Sequence, residues 1–179
     1  MHHCSARNGH LDILKWLCAH GCELNQDTTA AAAETGRLDI IEWMRSQNCP
    51  GNIWMGSVTA AARNGHLNIL QYLRSWDCPW NKKTCAAAAG GGHLQMLQWL
   101  RGQGCPWDSN TCSAAASACQ WDILKWARSE GCPWDKGTSS EAARSGHLEM
   151  LQWLRGQGCP WDEMTCSAAA SLLLASGIF

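Results

Sequence analysis

The sequence predicts an all-α protein built from short tandem repeats, and three observations lead to this prediction. The string CPWD or a close relative recurs every 27 residues, beginning at Cys78, Cys105, Cys132 and Cys159. The 179 residues include 12 Trp and 12 Cys but only one Tyr and one Phe, as expected for one motif copied many times. No segment shows the alternation of apolar and polar residues that is typical of a strand.

The repeat divides the chain into seven units, which we expect to form a single array over residues 1–179. Cys49 and Cys22 open two earlier units, and the unit that begins at Cys49 has two extra residues in its first loop. The segments 96–108 and 150–162 are identical, which indicates duplication. The predicted units are 1–21 (partial), 22–48, 49–77, 78–104, 105–131, 132–158 and 159–179 (partial).

Each unit is predicted to form a helix, a turn and a second helix. In unit 105–131, Pro106 and Asp108 mark a tight loop, and Thr111 is the expected N-cap of the first helix. The segment CSAAASA then predicts a thin helix rich in alanine. In most units a glycine follows, where the end of a helix favours a left-handed residue; these glycines are Gly36, Gly65, Gly92 and Gly146.

The second helix is represented by HLEMLQWLRGQG at 147–158. Leu148, Leu151 and Leu154 lie three residues apart, with Trp153 beside them, and form a wide apolar stripe. Gly158 ends the helix, and the Cys-Pro pair that follows prevents its continuation because proline cannot extend a helix.

Two segments carry a family resemblance. AAARNGHLNILQYL (60–73) and EAARSGHLEMLQWL (141–154) resemble the ankyrin-repeat core T-P-L-H-x-A-A-x-x-G-H-L-x-x-V-x-x-L-L. The first helix departs from that pattern, because TCxAAA replaces T-P-L-H-x-A-A. Each unit is also six residues short of the usual 33, and CPWD stands where the β-turn finger would be. The resemblance therefore implies an ankyrin-like helix–turn–helix solenoid of about seven stacked repeats without that finger, acting as a binding scaffold.

The tryptophans occupy two repeated positions, and each set is expected to form a ladder along the stack. One set lies on the second helices, and the other lies in the loops. The helix set is Trp16, Trp43, Trp99, Trp126 and Trp153, with Tyr72 in the same position. The loop set is Trp80, Trp107, Trp134 and Trp161.

Charge and hydropathy bear on the class of partner. The 14 Lys and Arg residues balance 15 Asp and Glu residues, whereas nucleic-acid-binding surfaces are usually strongly basic. No apolar run reaches the ~18 residues of a membrane-spanning helix, and the first residues lack a signal-peptide pattern. We therefore expect no nucleic acid partner, no membrane insertion and an intracellular, cytoplasmic location. The expected partner is another protein.

The Cys-Pro pairs suggest an alternative function, that of a ligand or redox sensor binding haem or a metal through thiolates. The structural interpretation is favoured, because the pair opens five successive units, from Cys49 to Cys159, and proline there ends a helix. Equivalent cysteines one repeat apart should lie about 10 Å from each other, too far to share a metal. No cofactor and no metal are predicted. Cysteines seven residues apart could approach each other, but reduced thiols are favoured; these pairs are Cys78/Cys85, Cys105/Cys112 and Cys159/Cys166.

The histidines at 10, 66, 93 and 147 share one position in the repeat. A catalytic histidine is expected once, beside its own base or nucleophile, so a histidine repeated in four units is predicted to bond a neighbouring turn. No nucleophile elbow, phosphate-binding loop or dinucleotide motif is present. The sequence therefore predicts that the protein is not an enzyme.

Residues that vary between units while the framework stays fixed are the expected partner-binding residues. One set follows CPWD and the other lies near the end of the first helix, positions that line the concave face in ankyrin proteins. Neutral drift on a solvated surface is the alternative explanation. The candidate residues are Lys82, Lys83, Ser109, Asn110, Lys136, Arg144, Glu34 and Arg63.

Two irregular regions leave alternatives open. In unit 105–131, Cys119, Gln120 and Trp121 replace Gly, His and Leu, through decay of a redundant unit or as a local bulge for a partner. At the ends, the sequence starts within a unit and finishes with AAASLLLASGIF. The chain is then part of a longer array, a truncated copy, or a subunit that contacts its neighbours end to end, which would make it a structural subunit of a larger assembly.

Overall fold

The computed structural model describes residues 6, 8–47 and 54–167, and the regular elements within them are all helical. The predicted all-α fold is therefore confirmed. The first helices of the repeats are α2 (Gln26–Glu34), α4 (Met55–Asn64), α6 (Lys82–Gly90), α8 (Ser109–Ser117) and α10 (Lys136–Arg144). The second helices are α1 (Leu11–Ala19), α3 (Leu38–Ser46), α5 (Leu67–Arg74), α7 (Leu94–Gly102), α9 (Trp121–Ser129) and α11 (Leu148–Gly156). Residues 163–167 are also helical.

The chain divides into two compact units, residues 1–80 and residues 81–179. In the first, α2 packs against α4, and each of these helices also packs against the second helix of its own repeat. In the second, α8 packs against both α6 and α10, so consecutive first helices are direct neighbours. The single array over residues 1–179 stays a prediction.

The core of each unit combines small and large apolar residues. The first helices bury alanines such as Ala88 and Ala115, which allow neighbouring helices to approach closely. The second helices bury larger side chains, among them Leu97, Leu124 and Leu154, none of which has any exposed surface. Since a single repeat has no second layer to cover this face, stacked neighbours are needed to bury it.

The first helices begin at a capping residue that the sequence analysis assigned incorrectly. Asp108, rather than Thr111, caps α8, because its carboxylate accepts a hydrogen bond from the backbone N–H of Asn110. Thr111 is buried in the first turn, and its hydroxyl has no hydrogen-bond partner among the described residues. Asn81 and Asp135 cap α6 and α10 in the same way. The last polar residue of the CPWD string therefore starts each of these helices.

The closing glycines have the predicted left-handed conformation. Gly36, Gly65 and Gly146 have φ angles of 76°, 79° and 77°. Cys119 takes the same position in repeat 105–131 with φ 55°, a conformation that costs a non-glycine residue about 1 kcal/mol. The turn therefore keeps its shape although the sequence has lost the glycine.

Candidate functional site

The first variable position, which opens each first helix, connects consecutive repeats. The Lys82 ammonium lies 2.8 Å from the Asp108 carboxylate of the next repeat, and Lys136 Nζ lies 3.1 Å from Asp162. Between these two bridges, Ser109 Oγ donates a hydrogen bond to Asp135 at 2.6 Å. Two lysines and a serine thus make the same connection, from the start of one first helix to the aspartate that caps the first helix of the next repeat.

These bridges change the acidity of the carboxylates. Burial acts to raise the pKa of Asp108, but hydrogen bonds from Lys82 and Asn110 outweigh it, so this pKa lies below its ordinary value. The pKa of Asp162 is also lowered, chiefly by the hydrogen bond from Lys136. Both carboxylates therefore stay ionised at neutral pH, where they act as helix caps and as partners of the lysines.

The second variable position points to solvent. Lys83 and Asn110 are exposed at the second residue of their helices. The Asn110 side chain donates a hydrogen bond to Asp108 within its own repeat, at 3.1 Å. No ion pair to Lys83 is found among the described residues. The side chains at this position are therefore presented outward, whereas those at the first position connect repeats.

The remaining candidates lie at the other end of the first helices. Arg144 is 67% exposed and forms an ion pair with Glu141 on its own helix. Arg63 is exposed in the last turn of α4, and Glu34 is half-buried at the end of α2. Residues 136 and 144 are about 12 Å apart along α10, at the rise of an α-helix. The candidates therefore fall into two groups, those at the start of their own first helix and those near its end.

Three cysteines of the Cys-Pro pairs, called corner cysteines below, form hydrogen bonds between repeats. Cys105 Sγ donates to the carbonyl of Asn81 at 3.6 Å, and Cys132 and Cys159 make the equivalent contacts at 3.5 Å. All three cysteines are buried. Each thiol thus reaches the capping residue of the preceding repeat, as expected of a structural corner. The cysteines described in the structure are free thiols, including Cys78, Cys85, Cys112 and Cys166 from the pairs considered in the sequence analysis.

The two predicted sets of tryptophans are joined to each other, a correction to the expectation of separate ladders. Trp107, from the loop set, contacts Trp126 of the helix set at 5.8 Å between ring centroids. Trp134 contacts Trp153 in the same way at 6.2 Å. Trp121, which replaces a leucine, packs edge to face on Trp153 at 5.9 Å. The rings fix the loop of each repeat to its second helix.

Sequence reasoning missed an arginine that completes this cluster. Arg101 and Arg128, near the ends of second helices, lie 4.2 Å from the ring centroids of Trp107 and Trp134 in the following repeats. Arg128 also donates a hydrogen bond to the carbonyl of Cys132 at 2.9 Å. Arginine four residues before the corner cysteine in successive repeats was the signal that could have revealed it.

A cluster of aromatic residues in the first compact unit was also missed. Trp54, from the lengthened loop of repeat 49–77, is 1% exposed and packs edge to face on Trp76 at 5.4 Å. Trp76 also contacts Tyr72 and lies beneath the Arg45 guanidinium. The insertion therefore contributes a large ring to the core.

The repeated histidine bonds the preceding repeat, as predicted. His66 Nε2 lies 3.0 Å from the carbonyl of Glu34, and His147 Nε2 lies 3.2 Å from that of Ser117. The His66 ring lies over Gly36, so closely that a Cβ atom on that glycine would be 2.8 Å from the ring. Gly36 is therefore required both for its φ angle and for the space above it.

The described residues provide no cluster for a metal. No group of three or more His, Cys, Asp or Glu side chains among them is arranged to hold an ion. None of the helices in the described part of the chain has the length and apolar character needed to cross a bilayer.

Comparison with known proteins agrees with this architecture. Residues 1–29 match the ankyrin-repeat family model. The crystal structure of the human ASB11 ankyrin repeat domain is similar to this chain with a TM-score of 0.65, over 88% of this chain and 83% of that one. The chain has the fold of an ankyrin-repeat domain. The identity to that ankyrin domain is 17%, so the likeness concerns the fold, and no curated protein matches the chain.

Proposed function

We propose that this protein belongs to the ankyrin-repeat family and is a non-catalytic module that binds another protein, as a scaffold or a subunit of a larger assembly. Ankyrin repeats generally mediate protein–protein interactions, and the fold supports that class of function. The observation that carries the proposal is the division of roles at the start of the first helices. One residue connects the repeats, and the next, as at Lys83 and Asn110, is presented to solvent.

The proposed surface is centred on two exposed residues, with two lysines beside them. Lys83 and Asn110 form its centre, because they vary between repeats and are exposed. Lys82 and Lys136 remain 60% and 68% exposed while bridging to aspartates, so they can contribute the rest of their surface. Ser109 contributes least, since it is half-buried against the next repeat. Glu34, Arg63 and Arg144 lie near the ends of their own helices, where a partner would have to reach each of them separately.

Binding through the residues that open the first helices predicts a particular pattern of mutational effects. The chain is immobilised, exposed to extract from its source cells, and the captured proteins are quantified by mass spectrometry. Lys83→Glu and Asn110→Arg should each reduce capture of the true partner at least about tenfold, the effect of losing about 1.4 kcal/mol at an interface. The fold should be unchanged, because both side chains are exposed.

Matched controls exist on the second helices. Lys15→Glu and Gln98→Arg make the same chemical changes at exposed positions of α1 and α7. These variants should capture the partner as well as the unmodified chain does. The proposed surface would be contradicted if the controls lost as much capture as the Lys83 and Asn110 variants, or if those two variants captured the partner undiminished. If the purified chain captures no protein reproducibly, the binding function itself is wrong.

The alternative of a haem or metal sensor has no specific observation in its favour. The corner thiols Cys105, Cys132 and Cys159 are buried and directed at backbone carbonyls. A ligand would have to displace these hydrogen bonds and open the contact between two repeats.

A further inference from the structure

The first helices carry a second cysteine that meets the corner cysteine of the next repeat. The Cys85 thiol lies 3.9 Å from the backbone carbonyl oxygen of Cys105, and Cys112 and Cys132 occupy the equivalent positions one repeat later. All four residues have no exposed surface. The third equivalent pair is Ser139 and Cys159, with Ser139 Oγ 3.3 Å from Cys159 Sγ. Successive repeats thus hold two thiol pairs and one natural pair in which serine replaces a cysteine.

We propose that Cys85–Cys105 and Cys112–Cys132 are two disulfide-forming sites that covalently link consecutive repeats when the protein reacts with hydrogen peroxide. The pairs differ from the cysteines seven residues apart, because each crosses from one repeat to the next. The equivalent atoms Ser139 Oγ and Cys159 Sγ are 3.3 Å apart, so two cysteines at these positions need only a small movement to reach bonding geometry. The proposal needs no metal and does not depend on the protein-binding function.

The chemistry at each site is a two-electron oxidation. The thiolate of the corner cysteine attacks one oxygen of hydrogen peroxide, the O–O bond breaks, and the departing hydroxide takes a proton to form water. The corner cysteine is then a sulfenic acid. The sulfur of the first-helix cysteine attacks it, the S–O bond breaks, and the second hydroxide leaves as water with the thiol proton. Two thiols and one peroxide thus become one disulfide and two waters.

The environment of the pairs agrees with this order of events. The neighbouring Cys132 thiol and burial raise the pKa of Cys112, whereas the pKa of Cys132 is lowered by the Cys112 thiol. At this site the attack on the peroxide is therefore assigned to Cys132, and the equivalent Cys105 is given the same role. Burial excludes bulky oxidants, whereas hydrogen peroxide is close to water in size.

The links would enclose the most irregular repeat. Cys85–Cys105 joins repeat 105–131 to the repeat before it, and Cys112–Cys132 joins it to the repeat after it. This is the repeat that carries Cys119 in a left-handed turn. Oxidation would therefore fix the position of the unit whose sequence departs furthest from the common pattern.

The test uses the whole chain. Exposed thiols, which include Cys119 and Cys166, are first blocked with N-ethylmaleimide in the native state. The protein is then treated with hydrogen peroxide, unfolded, alkylated with iodoacetamide, and digested without reduction for mass spectrometry. The expected products are peptides linked through Cys85–Cys105 and Cys112–Cys132, with Cys159 recovered as an alkylated thiol. Recovery of all four buried thiols in alkylated form, or links in a different pairing, would overturn the proposal.

The Ser139–Cys159 pair supplies matched variants. Cys85→Ser and Cys112→Ser copy a pair that the protein already contains, so they should fold, and each should lose only its own link. Ser139→Cys should gain a third link, to Cys159. Circular dichroism checks that each variant keeps its helix content. Loss of both links in either single serine variant, or no third link with Ser139→Cys in a folded protein, would also contradict the assignment.

Discussion

Lys82 lies 2.8 Å from Asp108, whose carboxylate also caps the first helix of the following repeat. A single aspartate therefore both starts a helix and holds the preceding repeat. Asp135 has the same two roles, because it accepts the hydroxyl of Ser109 and caps α10. The contact between repeats and the start of the helix are thus linked through one carboxylate.

Replacing the aspartate should cost more stability than replacing its lysine. Asp108→Ala removes both the cap and the ion pair, and the cap alone contributes about 1 kcal/mol. Lys82→Ala removes only an exposed ion pair, which contributes roughly 0–1 kcal/mol. Urea unfolding of the two variants measures the difference. Equal losses would show that Asp108 does not cap α8 in solution.

The ion pairs also predict a loss of stability in acid. The pKa values of Asp108 and Asp162 are lower in the folded chain than in the unfolded one, where they are about 3.9. Their contribution is therefore complete above the unfolded pKa and is lost as the pH falls through the folded pKa.

The measurement is the free energy of unfolding between about pH 6 and pH 2.5, a range that spans the ordinary pKa of aspartate. The double variant Lys82→Met/Lys136→Met should lose less stability over this range than the unmodified chain. Parallel curves would mean that the lysines do not lower these pKa values.

Arg128 and Trp134 should be energetically coupled, because the guanidinium lies over the ring at 4.2 Å. A double-mutant cycle with Arg128→Ala and Trp134→Ala should give a coupling free energy of about 0.5–1 kcal/mol. Arg128→Ala together with Gln98→Ala provides a control pair, since Gln98 is exposed on α7. That pair should be additive. A coupling indistinguishable from the control would mean that the stacked geometry does not persist in solution.

The left-handed turn at Cys119 predicts a stabilising substitution. Cys119→Gly should raise the free energy of unfolding by up to about 1 kcal/mol, because glycine adopts a positive φ without strain. Gly92→Ala is the converse change at the equivalent position. It should destabilise the protein, since its φ is 83° and the Gln120 side chain lies 3.0 Å from the new Cβ. A destabilising effect of Cys119→Gly would contradict this account.

The repeated histidine should tolerate glutamine better than alanine. His147 Nε2 bonds the carbonyl of Ser117, and repeat 105–131 already has Gln120 at the equivalent position. His147→Ala leaves that carbonyl without its donor, at a cost of about 1 kcal/mol. His147→Gln can keep a donor there and should cost less. Thermal unfolding ranks the two variants, and the opposite order would exclude the hydrogen-bonding role.

The helix pairs and the closing glycines were predictable because they depend on local chemistry. Pro106 ends a helix wherever it occurs, and glycine readily adopts the left-handed turn. The choice of Asp108 over Thr111 as the cap was harder, because both residue types cap helices and they lie within one turn. Only the position at which the helix begins distinguishes them.

The candidate site was predicted less well, for a physical reason. Variation between repeats selected Lys82 and Ser109 as partner-binding candidates, but residues that vary can also share a structural role. Their acceptors, Asp108 and Asp135, lie one repeat further along the chain, so the bridges depend on how repeats stack. The arginine–tryptophan contacts were missed because they too cross from one repeat to the next.

The contacts between repeats in residues 81–167 have a direction. Each repeat presents a cation or hydroxyl, a guanidinium and a backbone carbonyl to the next repeat, which contributes a carboxylate, an indole ring and a thiol, as Arg101 and Trp107 illustrate. The two faces of a repeat are therefore complementary and unlike. Removing residues 105–131 would bring Lys82 to Asp135 and Arg101 to Trp134, which restores the same junction chemistry. Within residues 81–167, a whole repeat added or removed in the same orientation would therefore keep the contacts at the junction.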